Sequence, residues 1–141
     1  MSKPNPILGG GGFHHVCLKT RTWDRTMQFY QKVLGFSVKI AWGAAPKRAV
    51  MMDAGDGNYI EVFEDLEYFP APQGSVHHYA LRTTRIDAVL ERVRAFGAKV
   101  TMEPKDLSIA TTNGAGAVPV RICFFEGPDG EVVELLQNSL T

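Results

Sequence analysis

Residues 13–20 read FHHVCLKT and residues 76–83 read VHHYALRT. The two stretches share a His-His pair, a leucine, a basic residue and a threonine in one register. Working outward, VLGFSVKI at 33–40 echoes AFGAKVTM at 95–102, with Gly35 opposite Gly97. NYIEVFED at 58–65 echoes EVVELLQN at 131–138, with Glu61 opposite Glu134. The offsets between the copies are 63, 62 and 73 residues. One duplicated unit, with about ten extra residues between Gly97 and Glu134, accounts for all three.

Each copy has the same layout. A short alternating strand opens it, at 13–19 and 76–82. A helix follows, capped by Thr22 in the first copy and Thr84 in the second, whose hydroxyls suit the free N–H groups of a first turn. Met27, Tyr30 and Leu34 in one helix, and Ile86, Val89, Leu90 and Val93 in the other, recur at helical spacing. Gly35 and Gly97 suit the left-handed residue that ends a helix. Three strands complete each copy, at about 36–42, 48–53 and 58–64, then 98–102, 119–125 and 131–137. Asp56-Gly57 and Asp129-Gly130 read as hairpin turns, and KDLSIATTNGAGAV at 105–118 reads as a loop. The fold expected is α+β: two tandem βαβββ modules forming a cupped mixed sheet with helices on its outer face. Residues 1–12 are expected to be a flexible N-terminal segment, 13–66 the first module, 67–75 a proline-bearing linker and 76–141 the second module.

Composition removes several classes of function. The chain has 141 residues, 45% hydrophobic and 21% charged, with 15 Lys and Arg against 15 Asp and Glu. A balanced charge argues against nucleic acid as a partner, since phosphate backbones need clustered cations. No apolar run approaches the ~20 residues that span a bilayer, so no membrane is expected. MSKPNPILGGGG lacks the apolar core of a signal peptide, and a cytoplasmic protein is expected. Cys17 and Cys123 fall in apolar strand-like runs and read as two reduced, buried thiols.

Strand parity selects the residues that carry chemistry. Side chains alternate faces with period two. Val16 and Leu18 make one face of the first strand fit to pack on a helix, so His15 points to the other. In the fifth strand Tyr79 and Leu81 pack with His77, leaving His78 opposite. Glu61 interrupts Ile60 and Val62, and Glu134 interrupts Val133 and Leu135. A carboxylate in an apolar strand is exposed, paired or metal-bound, or its burial is costly. His15, Glu61, His78 and Glu134 therefore share the face away from the helices, a first shell suited to one divalent ion: Zn, Ni, Co, Mn or Fe. His14 and His77 read as supporting residues.

With these residues in view, the sequence resembles the vicinal oxygen chelate superfamily, which includes glyoxalase I, bleomycin and fosfomycin resistance proteins, and extradiol dioxygenases. The resemblance runs from about Phe13 to Asn138. It is carried by His15, by FYQKVLGF at 29–36 and by FFEGPDGEVVEL at 124–135, which has Gly127 where Asp is usual. It implies paired βαβββ modules with a metal inside the cup. A two-His, one-Glu set of His15, His78 and Glu134 would match the dioxygenases. Glu61 as a fourth ligand instead looks like glyoxalase I.

The resemblance implies a metal-dependent lyase or isomerase working by metal-stabilised enediolate chemistry on a small oxygenated substrate. Glu134 is then the first candidate to move the proton as base and acid, with Glu61 its counterpart. Glutathione-using glyoxalases carry Arg and Asn where this chain has Lys19 and Asp65, so a glutathione substrate is doubtful. Arg82 and Arg121 are candidates for an anionic substrate group. Tyr59, Phe63 and Phe125 are candidates for cup or core. Family members are commonly homodimers, with the site inside one chain or shared between two. The alternatives are an extradiol-type dioxygenase and a non-catalytic, bleomycin-resistance-type small-molecule binding protein.

Overall fold

A computed structural model describes residues 6–7, 13, 15–69, 77–110 and 116–138. The first unit builds β1 (His15–Thr20), α1 (Trp23–Gln28), β2 (Ser37–Trp42), β3 (Ala49–Gly55) and β4 (Asn58–Glu64). The second builds β5 (Tyr79–Arg82), α2 (Ile86–Phe96), β6 (Val100–Ile109), β7 (Val118–Glu126) and β8 (Val132–Gln137). The βαβββ order occurs twice, and the fold is α+β. Each unit closes its own four-stranded sheet, in the orders β1-β4-β3-β2 and β5-β8-β7-β6. In both, the opening strand lies parallel to the closing strand and the remaining pairs are antiparallel. Among the described residues no strand pair joins the two sheets, and β1 and β5 are edge strands of their own sheets.

The helices hold the units together. Beyond α1 the chain widens into a π-helical stretch, Phe29–Val33, in which the Leu34 N–H donates to the Phe29 carbonyl at 3.2 Å. Phe29 and Tyr30 are fully buried. The Phe29 ring lies 5.2 Å from Phe96 on α2 and 6.0 Å from Phe125 on β7, so the first unit's helix packs on the second unit directly. Arg92 of α2 donates from Nε to the Val33 carbonyl at 2.8 Å. One core results, with Met52, Ile60 and Val62 from the first sheet and Cys123, Val133 and Leu135 from the second. His15, Glu61 and Glu134 lie on the strand parity opposite these core residues.

Local chemistry corrects several expectations. The residue before α2 is Arg85, not Thr84, because the Arg85 N–H donates to the Thr83 hydroxyl at 2.9 Å and shifts the start by one residue. Thr22 does precede α1, yet its hydroxyl makes no cap; it donates to Asp129 of the second unit at 3.4 Å. Residues 105–109 are strand, not loop, since β6 pairs with β7 as far as Ile109–Val118. Cys17 is exposed rather than buried, as it shares the parity of His15 and Lys19 on an edge strand. β5 begins at Tyr79, after the two histidines. Most of the expected N-terminal segment, His14, residues 111–115 of the expected loop and most of the expected linker (70–75) lie outside the described residues.

Asp56 and Gly57 both take positive φ, 52° and 75°, as a tight β3–β4 hairpin needs. Gly97 ends α2 at φ 91°, a conformation that a Cβ strains even though the space beside it is open. Gly97→Ala is therefore expected to cost on the order of 1 kcal/mol. Urea unfolding would show it as a lower midpoint at unchanged slope.

Candidate metal-binding half-sites

β1 and β4 run in parallel register, with His15 opposite Tyr59 and Cys17 opposite Glu61. His15 Nε2 comes within 3.8 Å of Glu61 Oε1. The Cys17 thiol lies beside the same carboxylate, and partial desolvation on the strand together with Glu61 pushes its pKa up to about 11. It is therefore a neutral thiol and a poor nucleophile at neutral pH. Further along β1, Lys19 Nζ donates to Asp65 Oδ2 at 3.2 Å.

The second unit repeats the arrangement more tightly. Glu134 on β8 stands between Ala80 of β5 and Phe124 of β7, and is 7% exposed. His78 Nε2 lies 2.9 Å from Glu134 Oε2, and the ring meets Phe124 edge-on at 5.2 Å. His77 and His78 share a hydrogen bond between their Nδ1 atoms at 2.7 Å, so their rings meet rather than taking opposite faces. This departs from strict alternation because both precede the strand.

Each sheet thus carries one His–Glu pair at a duplicated position. The pairs do not meet: among the described residues no three His, Cys, Asp or Glu side chains gather closely enough to hold a metal ion. A cleft of about 1180 Å³ lies between the edges of β1 and β5. His15, Lys19, His78 and Arg82 line it, as does Tyr59; Glu61 and Glu134 do not. Arg121 is not brought there, since it is held on the helix side by Asp87 of α2 at 2.9 Å and by Asp106 at 2.8 Å. Phe125 is core, whereas Phe63 meets Trp42.

Not every strand carboxylate belongs to this set. Glu64 of β4 is buried with the opposite parity, and Arg48 donates to it from Nε at 2.8 Å and Nη2 at 2.7 Å. That bidentate clamp holds the Glu64 carboxyl below its usual range. The sequence pattern does not single out Glu131, a half-buried carboxyl that accepts from the Tyr30 hydroxyl at 2.6 Å. Its one signal in the sequence is Gly127, four residues earlier.

Two four-stranded βαβββ units, each with a His–Glu pair on the face away from its helix, define a duplicated chelate fold. The model of the glyoxalase/bleomycin resistance protein/dioxygenase superfamily matches residues 12–135, and the chain belongs to that superfamily. A putative lactoylglutathione lyase of Brassica oleracea var. gemmifera is 30% identical over 135 residues, covering 92% of this chain and 45% of that protein. The chain thus spans about half the length of the first relatives it matches. A probable lactoylglutathione lyase of Vibrio cholerae is 26% identical and matches over 88% of both chains. Among solved structures, a glyoxylase/bleomycin resistance protein/dioxygenase domain from Frankia sp. EAN1pec shares the fold, with a TM-score of 0.74 at 18% identity. That match covers 92% of this chain and 93% of the other.

Proposed function

We propose that the chain is a metal-dependent, glyoxalase-I-like lyase or isomerase of the cytoplasm, acting on a small oxygenated substrate. The observation that carries this reading is the pair of His–Glu couples at duplicated positions, each with its carboxylate set in an apolar strand. Imidazole nitrogen and carboxylate oxygen suit a divalent ion such as Zn, Ni, Co, Mn or Fe. That the couples stand on separate sheets supports a homodimer in which the His15–Glu61 couple of one copy meets the His78–Glu134 couple of another.

His15 and His78 would hold the ion, each presenting Nε2, the atom turned toward its glutamate. Glu134 takes a proton from one substrate carbon and returns it to the neighbouring carbon. A divalent ion held by these residues would supply the positive charge that stabilises an enediolate. Phe124 and the burial of Glu134 keep water from that carboxylate. Lys19 is engaged by Asp65, which leaves it a poor clamp for a glutathione carboxylate and favours a smaller substrate. Arg82, in the cleft wall, is the cation offered to an anionic group.

Elemental analysis of protein purified without an affinity-metal column tests this. Near-stoichiometric metal is expected in the wild type, with affinity weakened at least ~10-fold in both Glu61→Gln and Glu134→Gln. Loss only with Glu134→Gln, together with oxygen uptake, would replace this reading by a three-ligand dioxygenase. No metal even after adding each candidate ion would leave a binding protein.

A further inference from the structure

His77 and His78 stand immediately before β5, and His78 is engaged at both ring nitrogens. Its Nε2 lies 2.9 Å from Glu134 Oε2 on β8. Its Nδ1 lies 2.7 Å from the Nδ1 of His77. The two imidazoles meet edge to face, with centroids 4.9 Å apart and planes at 87°, and Phe124 meets the His78 ring at 88°. The chain just beyond is tethered across the junction of the units, where the Tyr79 hydroxyl lies 2.5 Å from that of the fully buried Tyr30. His78 is thus held by a carboxylate, an aromatic ring and a second imidazole.

A bond between two Nδ1 atoms needs one donor and one acceptor, and a neutral imidazole carries a single N–H. The carboxylate of Glu134 only accepts, so beside it a neutral His78 keeps its proton on Nε2. The His78 Nδ1 is then the acceptor, and His77 donates to it from its own Nδ1. For Nε2 of His78 to face a cation it must be bare, which puts the His78 proton on Nδ1. That Nδ1 then donates to His77, whose own proton sits on Nε2. Each ring holds one proton in either arrangement, so the bond reverses with no net gain or loss of protons. A carbonyl or carboxylate in the place of His77 could only accept and would serve the second arrangement alone. An imidazole serves both.

We propose that His77 is a positioning residue for His78, donating from Nδ1 in the metal-free chain and accepting at the same atom when His78 presents a bare Nε2 to a cation. The His78 ring thereby stays aimed at Glu134 in both states. The role toward a cation rests on the metal-binding reading above; the role in the metal-free chain does not. A partner bonded to the far nitrogen of a ligating histidine fixes its tautomer and ring orientation and raises its basicity.

The test is ring nitrogen-15 spectroscopy of the full chain, metal-free and at pH ~8, where a free imidazole is neutral. His78 is expected to carry its proton on Nε2 and His77 on Nδ1. His77→Phe keeps an aromatic ring beside His78 but offers it no hydrogen bond, and His78 should become a mixture of both tautomers. His77→Asn sets an amide at a similar reach, able to donate or accept, and should restore a single tautomer. Titration with Zn²⁺ against a chelating dye should show affinity ~10-fold weaker in His77→Phe and close to wild type in His77→Asn. In the zinc-saturated wild type the His78 proton should be found on Nδ1. A single Nε2–H tautomer in His77→Phe, or equal zinc affinity in wild type and His77→Phe, would overturn this role. If the wild type binds neither Zn²⁺ nor the other candidate ions, the lyase reading falls by itself, and the metal-free tautomers alone decide the role of His77.

Discussion

Mixing two inactive variants, His15→Ala and His78→Ala, is expected to restore about a quarter of wild-type turnover. Each variant alone should lose at least ~100-fold, since each removes one imidazole from every site. The recovery follows from where the couples lie. His15 with Glu61 is on the first sheet and His78 with Glu134 is on the second, with a cleft between them. If sites form between copies, a mixed dimer has one site lacking both histidines and one with both. Equal subunit exchange makes roughly half the dimers mixed, and half of their sites are whole. Hemithioacetal isomerisation, measured against mixing time, reads the result. No recovery after full exchange would mean that the cleft closes and joins the couples within one chain.

The largest effect on stability is expected at Phe29. It is fully buried and its ring meets Tyr30 at 5.2 Å, Phe96 at 5.2 Å and Phe125 at 6.0 Å. Those contacts come from its own helix, from α2 and from β7, so Phe29 joins the units as well as filling the core. Phe29→Ala should cost about 3–5 kcal/mol through lost burial and the cavity left behind. For a chain of this size that lowers the melting temperature by roughly 10–20 °C. Calorimetry would also separate two structural outcomes. One broad, lower transition would mean a weakened common core. Two transitions would mean that the units had come apart.

Much of this was legible from the repeated histidine strands. Period-two alternation shows on β1 and β4, where one face lies on the core, and places His15 and Glu61 on the other face; on β8 both faces are buried at Val133, Glu134 and Leu135, so burial does not single out Glu134. Alternation failed just before β5, at His77 and His78, which precede the strand and whose rings meet instead. It failed again at 105–109, where mostly exposed residues stay extended because β7 pairs with them and Asp106 bonds Arg121 across the ladder. Apolar patterning carries no record of such pairing. The separation of the two couples was equally hidden, since it depends on how α1 and its π-helical extension seat against α2. Nor could spacing reveal that Gly127 admits Glu131, a contact set by side-chain direction within one turn.

Asp129 of the second unit stands at the start of the first unit's helix, where Thr26 and Thr22 donate to its two oxygens. A negative charge at that end also complements the helix dipole. The repeat equivalent of Asp129 is Asp56, which lies in the first unit's own hairpin. Copying a gene segment yields identical halves, but this contact makes them unlike: one lends an acid and the other receives it. The halves are therefore no longer interchangeable. A first unit expressed alone would begin its helix without this acceptor, and two first units fused in tandem would have to build the contact from Asp56.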